Sequence, residues 1–86
     1  MNLKLKIVTP EEVRFEGPVT SVVAPGTLGY LGILKNHAPL VTTLAVGNLT
    51  VRDPQGTTQT FKVEGGFLEV LKNQVLVLTD NIAVVA

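Results

Sequence analysis

Short runs of alternating apolar and polar residues, cut by turn-forming residues every eight to twelve positions or so, constrain this chain most. Leu3, Leu5 and Ile7 alternate with Lys4 and Lys6, the period of a strand with one wet face. Val13 and Phe15 alternate with Arg14 and Glu16, and Gly17-Pro18 ends that run. Thr9-Pro10-Glu11-Glu12 has the residue types of a helix start, but the alternation that follows it reads as a turn into a second strand. Val19 to Ala24 is β-branched and closes on Pro25-Gly26. Further strands are expected around Tyr30–Leu34, over Leu40–Val46 up to Gly47, over Leu49–Arg52, over Thr57–Glu64 up to Gly65-Gly66, and over Phe67–Leu71 and Gln74–Thr79. The two turns that join them are specific. Asp53-Pro54-Gln55-Gly56 puts proline and glycine where a type I turn uses them, and Lys72-Asn73 sits between the last two long runs. Gln74–Thr79 is apolar on both faces, so it is expected to lie centrally.

No segment carries a sustained 3.6-residue period, so no helix longer than one turn is expected. The pattern predicts an all-β chain: a flattened antiparallel β-sandwich or barrel of about ten short strands, as a single domain over residues 1–86. The tail from Asn81 ends on Ile82-Ala83-Val84-Val85-Ala86. Termini are usually polar and loose, so either this tail packs as a last strand or the chain has been cut from a longer one.

Composition narrows the function. Of 86 residues, 45% are apolar and only 16% charged, with a mean hydropathy of +0.38. Ordinary domains carry about 25% charge. A domain this small has much surface and little interior, so the excess points either to densely apolar strands or to surface that meets a partner. Acidic and basic residues number 7 each and are scattered, which leaves no basic stripe for nucleic acid. The absence of cysteine removes disulfides, zinc-thiolate sites and thiol nucleophiles. MNLKLKIVTP is too polar for a signal peptide, and no apolar run approaches about 20 residues.

Catalytic constellations are not expected either. Gly26, Gly29 and Gly32 are spaced GxxGxxG rather than as a dinucleotide fingerprint, with no helix start after them to face an anion. His37 is the only histidine, and a metal needs three or four donors. Ser21 lies mid-strand without an evident base, and the adjacent Glu11 and Glu12 point apart. Catalytic, cofactor-binding and metal-binding residues are all read as none, which leaves a binding module. From residue 17 to residue 52 there is no acidic residue, and Lys35 is the only basic one before Arg52. Interface cores are depleted of charge in this way. Gly26, Gly29 and Gly32 would let the chain turn tightly and present Leu28 and Tyr30 from a compact tip. The same residues also fit an ordinary core with glycines at bulges, and the pattern alone does not choose.

LKIVTP at residues 5–10, PGTLGYLGILKNHAPL at 25–40 and GGFLEV at 65–70 resemble, in order and spacing across the whole chain, the epsilon-subunit family of F-type ATP synthases. The middle block is the most specific. The resemblance implies a ten-stranded flattened β-sandwich, the amino-terminal domain of that family. It would sit at the foot of the central rotor stalk against the gamma subunit and the c-ring, coupling ring rotation to gamma without doing chemistry. The location implied is the cytoplasmic face of an energy-transducing membrane, a bacterial inner or thylakoid membrane, peripheral and held only through the complex. The family's carboxy-terminal helical hairpin is expected to be absent here, and its regulatory and nucleotide-binding roles are not carried over. Matched residue by residue, the c-ring contact would be Thr27, Leu28, Gly29 and Tyr30, and the gamma contact Thr9, His37 and Thr42. Many members have acidic residues at the positions of Leu28 and Tyr30, and Pro-Gly at Lys35-Asn36, so the ring contact is expected to be more apolar here. The family's Thr-Ala-Asp strand ending is Thr79-Asp80-Asn81 in this chain. The alternative is a stand-alone β-sandwich that binds a small molecule or sugar, which the 5% aromatic content does not favour.

Overall fold

The computed structural model describes residues 2–85. Among them there are eight strands and no helix: β1 (Leu3–Val8), β2 (Val13–Val19), β3 (Ser21–Gly26), β4 (Gly29–Leu34), β5 (Leu40–Arg52), β6 (Thr58–Leu71), β7 (Gln74–Leu78) and β8 (Ile82–Val84). The count falls from about ten to eight because β5 and β6 run on unbroken where glycines suggested ends. Leu40–Val46 and Leu49–Arg52 are one strand through Gly47. Thr58–Glu64 and Phe67–Leu71 are one strand through Gly65-Gly66.

The hydrogen-bonded order is β2-β1-β7-β6-β5-β3-β4, with β8 added beside β6. All pairs are antiparallel except β1 with β7. The carboxy-terminal half of β6 pairs with β7 and its amino-terminal half with β8, while β5 pairs with β6 throughout. The long β5–β6 ribbon therefore belongs to both ends of the sheet and folds it into a sandwich. Phe15 of β2 meets Phe61 of β6 edge-on, with ring centroids 6.3 Å apart, although β1 and β7 separate these strands in the sheet.

A change of facing marks the corner. Leu40, Thr42 and Leu44 turn inward in the first half of β5, whereas Leu49 and Val51 do so in the second. In β6 the inward set passes from Phe61 and Val63 to Leu68 and Val70. Both strands switch from one parity to the other, yet the register is the same on either side, with Leu44 opposite Gly66 and Val46 opposite Glu64. The rotation occurs at Gly65 and Gly66, whose φ angles are +80° and +120°, a region that side-chain-bearing residues avoid.

The core gathers Leu3, Leu5 and Ile7 of β1 with Val22 of β3, Ile33 of β4, Leu49 of β5, Leu68 of β6 and Val77 of β7. Polar groups at the corner are satisfied. The Thr79 hydroxyl donates toward the carbonyls of Gly65 at 2.8 Å and Asn81 at 3.2 Å. The expected turns form as read. Asp53 Oδ1 accepts the N–H groups of Gln55 and Thr57, each at 2.9 Å. Lys72 and Asn73 both take positive φ, 50° and 64°, as a two-residue type I′ hairpin requires.

Candidate interaction surfaces

The tip of the β3–β4 hairpin stands clear of the sandwich. Thr27, Leu28, Gly29 and Tyr30 are all exposed, and the relative exposure of Leu28 is 104%, so its whole side chain is in solvent. Gly29, at φ +133°, makes the turn. Of the two readings the residue pattern left open, the exposed tip is the one realised. The same stretch also feeds the core, through Ile33 and the half-buried Leu31.

The three residues matched to gamma differ in their settings. Thr9 is 5% exposed; its hydroxyl donates to the Glu12 carbonyl at 3.2 Å and holds the β1–β2 turn. Thr42 is opposite Leu68, on the inward side of the ladder. His37 lies between β4 and β5 and is half-buried. Its Nδ1 is 2.7 Å from the Ala38 carbonyl, which can only accept, so that nitrogen carries the proton.

What lies between these positions was not anticipated. Reading across the outer face of the sheet, Thr43 of β5 pairs with Phe67 of β6, Phe67 with Leu78 of β7, Leu78 with Val8 of β1, and Val8 with Val13 of β2. One register step away, Val41, Glu69 and Leu76 line up in the same sense. Directly paired residues point to the same side of a sheet, so these side chains form one stripe. Val41 is 70% exposed and Phe67 55%; such large apolar groups in one patch usually mark an interface. Between them lies a mostly apolar depression of about 200 Å³ lined by Val41, Phe67, Leu68, Leu76 and Leu78, with Glu69 among them.

The stripe joins the predicted positions. At one end Thr27 reaches Thr43, with N–H to carbonyl at 3.3 Å and hydroxyl to hydroxyl at 2.9 Å. At the other, Thr9 and Pro10 border Phe67 and Leu78. Glu69 stands between Val41 and Leu76, and beyond Leu76 the face becomes charged, with Lys4, Lys6, Glu16 and Lys72 joining Glu69 around a depression of about 490 Å³. A largely apolar face bordered by charge has the anatomy of a protein interface. The one available signal was the two-sided apolarity of β7. That apolarity predicts central burial, and β7 is central, yet among the described residues no second layer covers its outer side.

Fold and surface together define a β-sandwich domain with an exposed, largely apolar outer face. The chain belongs to the family described as ATP synthase, Delta/Epsilon chain, beta-sandwich domain, whose profile matches residues 2–84. It is 43% identical over 79 residues to the ATP synthase epsilon chain of Leptospira interrogans, covering 92% of this chain and 61% of that one. It is 51% identical over 78 residues to that of Desulforamulus reducens, covering 91% and 58%, and 42% identical over 80 residues to that of Chlorobium limicola, covering 93% and 91%. The chain thus spans about three fifths of the length of most of these relatives. Among solved structures it is similar to a chain of the Euglena gracilis mitochondrial ATP synthase, OSCP/F1/c-ring in rotational state 1. The TM-score is 0.92 and the identity 25%, over 96% of this chain and 53% of that one. A chain of the Tetrahymena thermophila mitochondrial ATP synthase central stalk and c-ring shares the fold, with a TM-score of 0.81 at 16% identity over 96% of this chain and 66% of that one.

Proposed function

We propose that this chain is a rotor-stalk subunit of an F-type ATP synthase that couples c-ring rotation to the gamma subunit and is itself non-catalytic. The observation that carries the reading is the apolar stripe Val41–Phe67–Leu76–Leu78–Val8, continuous with the hairpin tip at Thr43–Thr27. In this reading the stripe faces gamma, with Thr9 at its margin, and Thr27, Leu28, Gly29 and Tyr30 meet the c-ring. Thr42, whose side chain turns to the inner side of β5, stands outside this face, and His37 is assigned to its rim. A torque-transmitting contact has to resist shear, and a broad apolar face with a charged margin gives area and register together. The subunit would be peripheral, at the cytoplasmic face of an energy-transducing membrane. Support comes from the epsilon-chain relatives and from the complexes in which the solved relatives were determined.

The test is assembly. The chain, mixed with the gamma subunit and c-ring of the same source, should co-elute with them as one complex. A chain that stays monomeric in the presence of gamma, at concentrations of tens of micromolar, would overturn the proposal.

A further inference from the structure

The hairpin tip is tied to β5 on both sides, and the two ties differ. On one side Thr27 meets Thr43 through backbone and hydroxyl. On the other, the Tyr30 hydroxyl accepts the Asn48 N–H at 3.3 Å. The second tie fills a gap in the β3–β5 ladder. Val23 is aligned with Thr50, but the next aligned pair is Gly26 with Leu44, so residues 45–49 have no aligned partner on β3. Pro25 lies in that gap and has no N–H to give. Tyr30 is opposite Pro25 on β4, and its side chain reaches past Pro25 to β5. Gly47 makes the room: a Cβ there would sit 2.8 Å from Pro25 Cβ and 3.0 Å from the Tyr30 oxygen. Only Leu28 and Gly29 remain between the ties, and Leu28 is wholly in solvent.

We infer that the four tip residues divide their work: Tyr30 is a positioning residue that holds the hairpin on the Gly47 shelf, and Leu28 is the single anchor that enters the partner. The partner surface it fits is an uncharged apolar pocket for one leucine-sized side chain, because no charged residue occurs on the hairpin from Val19 to Leu34. This rests on the rotor-stalk reading for the partner's identity. The tie itself belongs to the isolated chain.

The experiment therefore has two arms. Amide exchange of the isolated chain is compared between wild type, Tyr30→Phe and Leu28→Ser, and each is then docked onto the purified gamma–c-ring complex. Tyr30→Phe is expected to speed Asn48 exchange by about tenfold, the size of one lost hydrogen bond, with core amides such as Leu68 unchanged, and to weaken docking by less than about tenfold. Leu28→Ser is expected to leave exchange at Asn48 as in wild type and to weaken docking by about tenfold or more, in the range of a contact anchor. The loss of docking in Leu28→Ser relative to wild type should differ by less than about twofold between about 50 and 500 mM salt, since the hairpin itself carries no charge. Unchanged Asn48 exchange in Tyr30→Phe overturns the positioning role. Wild-type docking by Leu28→Ser, or a Leu28→Ser loss that varies steeply with salt, overturns the anchor. A wild-type chain that does not dock at all overturns the rotor-stalk reading and the anchor with it, while the exchange arm still decides the role of Tyr30.

Discussion

The Leu78 carbonyl oxygen of β7 occupies the space where a side chain on Gly66 would begin. A Cβ on Gly66 would also come within 2.9 Å of the Thr79 Cα. Backbone cannot yield as a side chain can, and φ at Gly66 is +120°. We expect Gly66→Ala to destabilise the chain by about 2–4 kcal/mol, combining strain and displaced backbone. Urea unfolding measures it; an unchanged midpoint would show that the corner tolerates a side chain.

The outer stripe and the core should respond to substitution in opposite ways. Val41→Ser with Phe67→Ser removes exposed apolar groups, so stability should move by no more than about 1 kcal/mol in total. Association with gamma should weaken by about 1–2 kcal/mol or more. Unfolding midpoints alongside gamma titrations separate the two, and a stability loss with binding intact would place these residues in the core.

Leu49 has no exposed surface and lies in the core where β5 has turned the corner. Leu49→Ala should cost about 2–5 kcal/mol. In a domain of this size each kcal/mol lowers the melting temperature by about 4–8 °C. A thermal scan that shows less than a 5 °C or so decrease would count against the described packing.

Asn73 couples two turns far apart in sequence. Its Oδ1 accepts the Asn36 N–H at 2.6 Å, and its Nδ2 donates to Asn36 Oδ1 at 3.3 Å. Both asparagines have positive φ, 64° for Asn73 and 67° for Asn36. Asn73→Gly keeps the backbone conformation and loses only the link, for a cost of about 1 kcal/mol. Asn73→Ala should cost about 1 kcal/mol more, for the left-handed strain. Equal midpoints for the two variants would mean that the conformation carries no penalty.

The residue pattern by itself determined strand identity, the turns at Asp53–Gly56 and Lys72-Asn73, and the presence of an uncharged loop with Leu28 and Tyr30 on it. These are local properties: alternation reports the pleat, and proline, glycine and asparagine report the φ angles that a turn needs. The tertiary structure decided three things. It joined Leu40–Arg52 and Thr58–Leu71 into two long strands, because Gly47, Gly65 and Gly66, which read as breaks, here rotate or make room within a continuous ladder. It gave Thr9, Thr42 and His37, which a linear match had grouped, three different settings, a buried turn, the inner side of β5 and the loop before β5, since the facing of a residue depends on the element that carries it. It also left Phe67, Leu76 and Leu78 uncovered. A period of two states which residues share a face of a strand, but not what lies over that face; that depends on where the sheet folds, and the fold is set by pairings between residues distant in the chain.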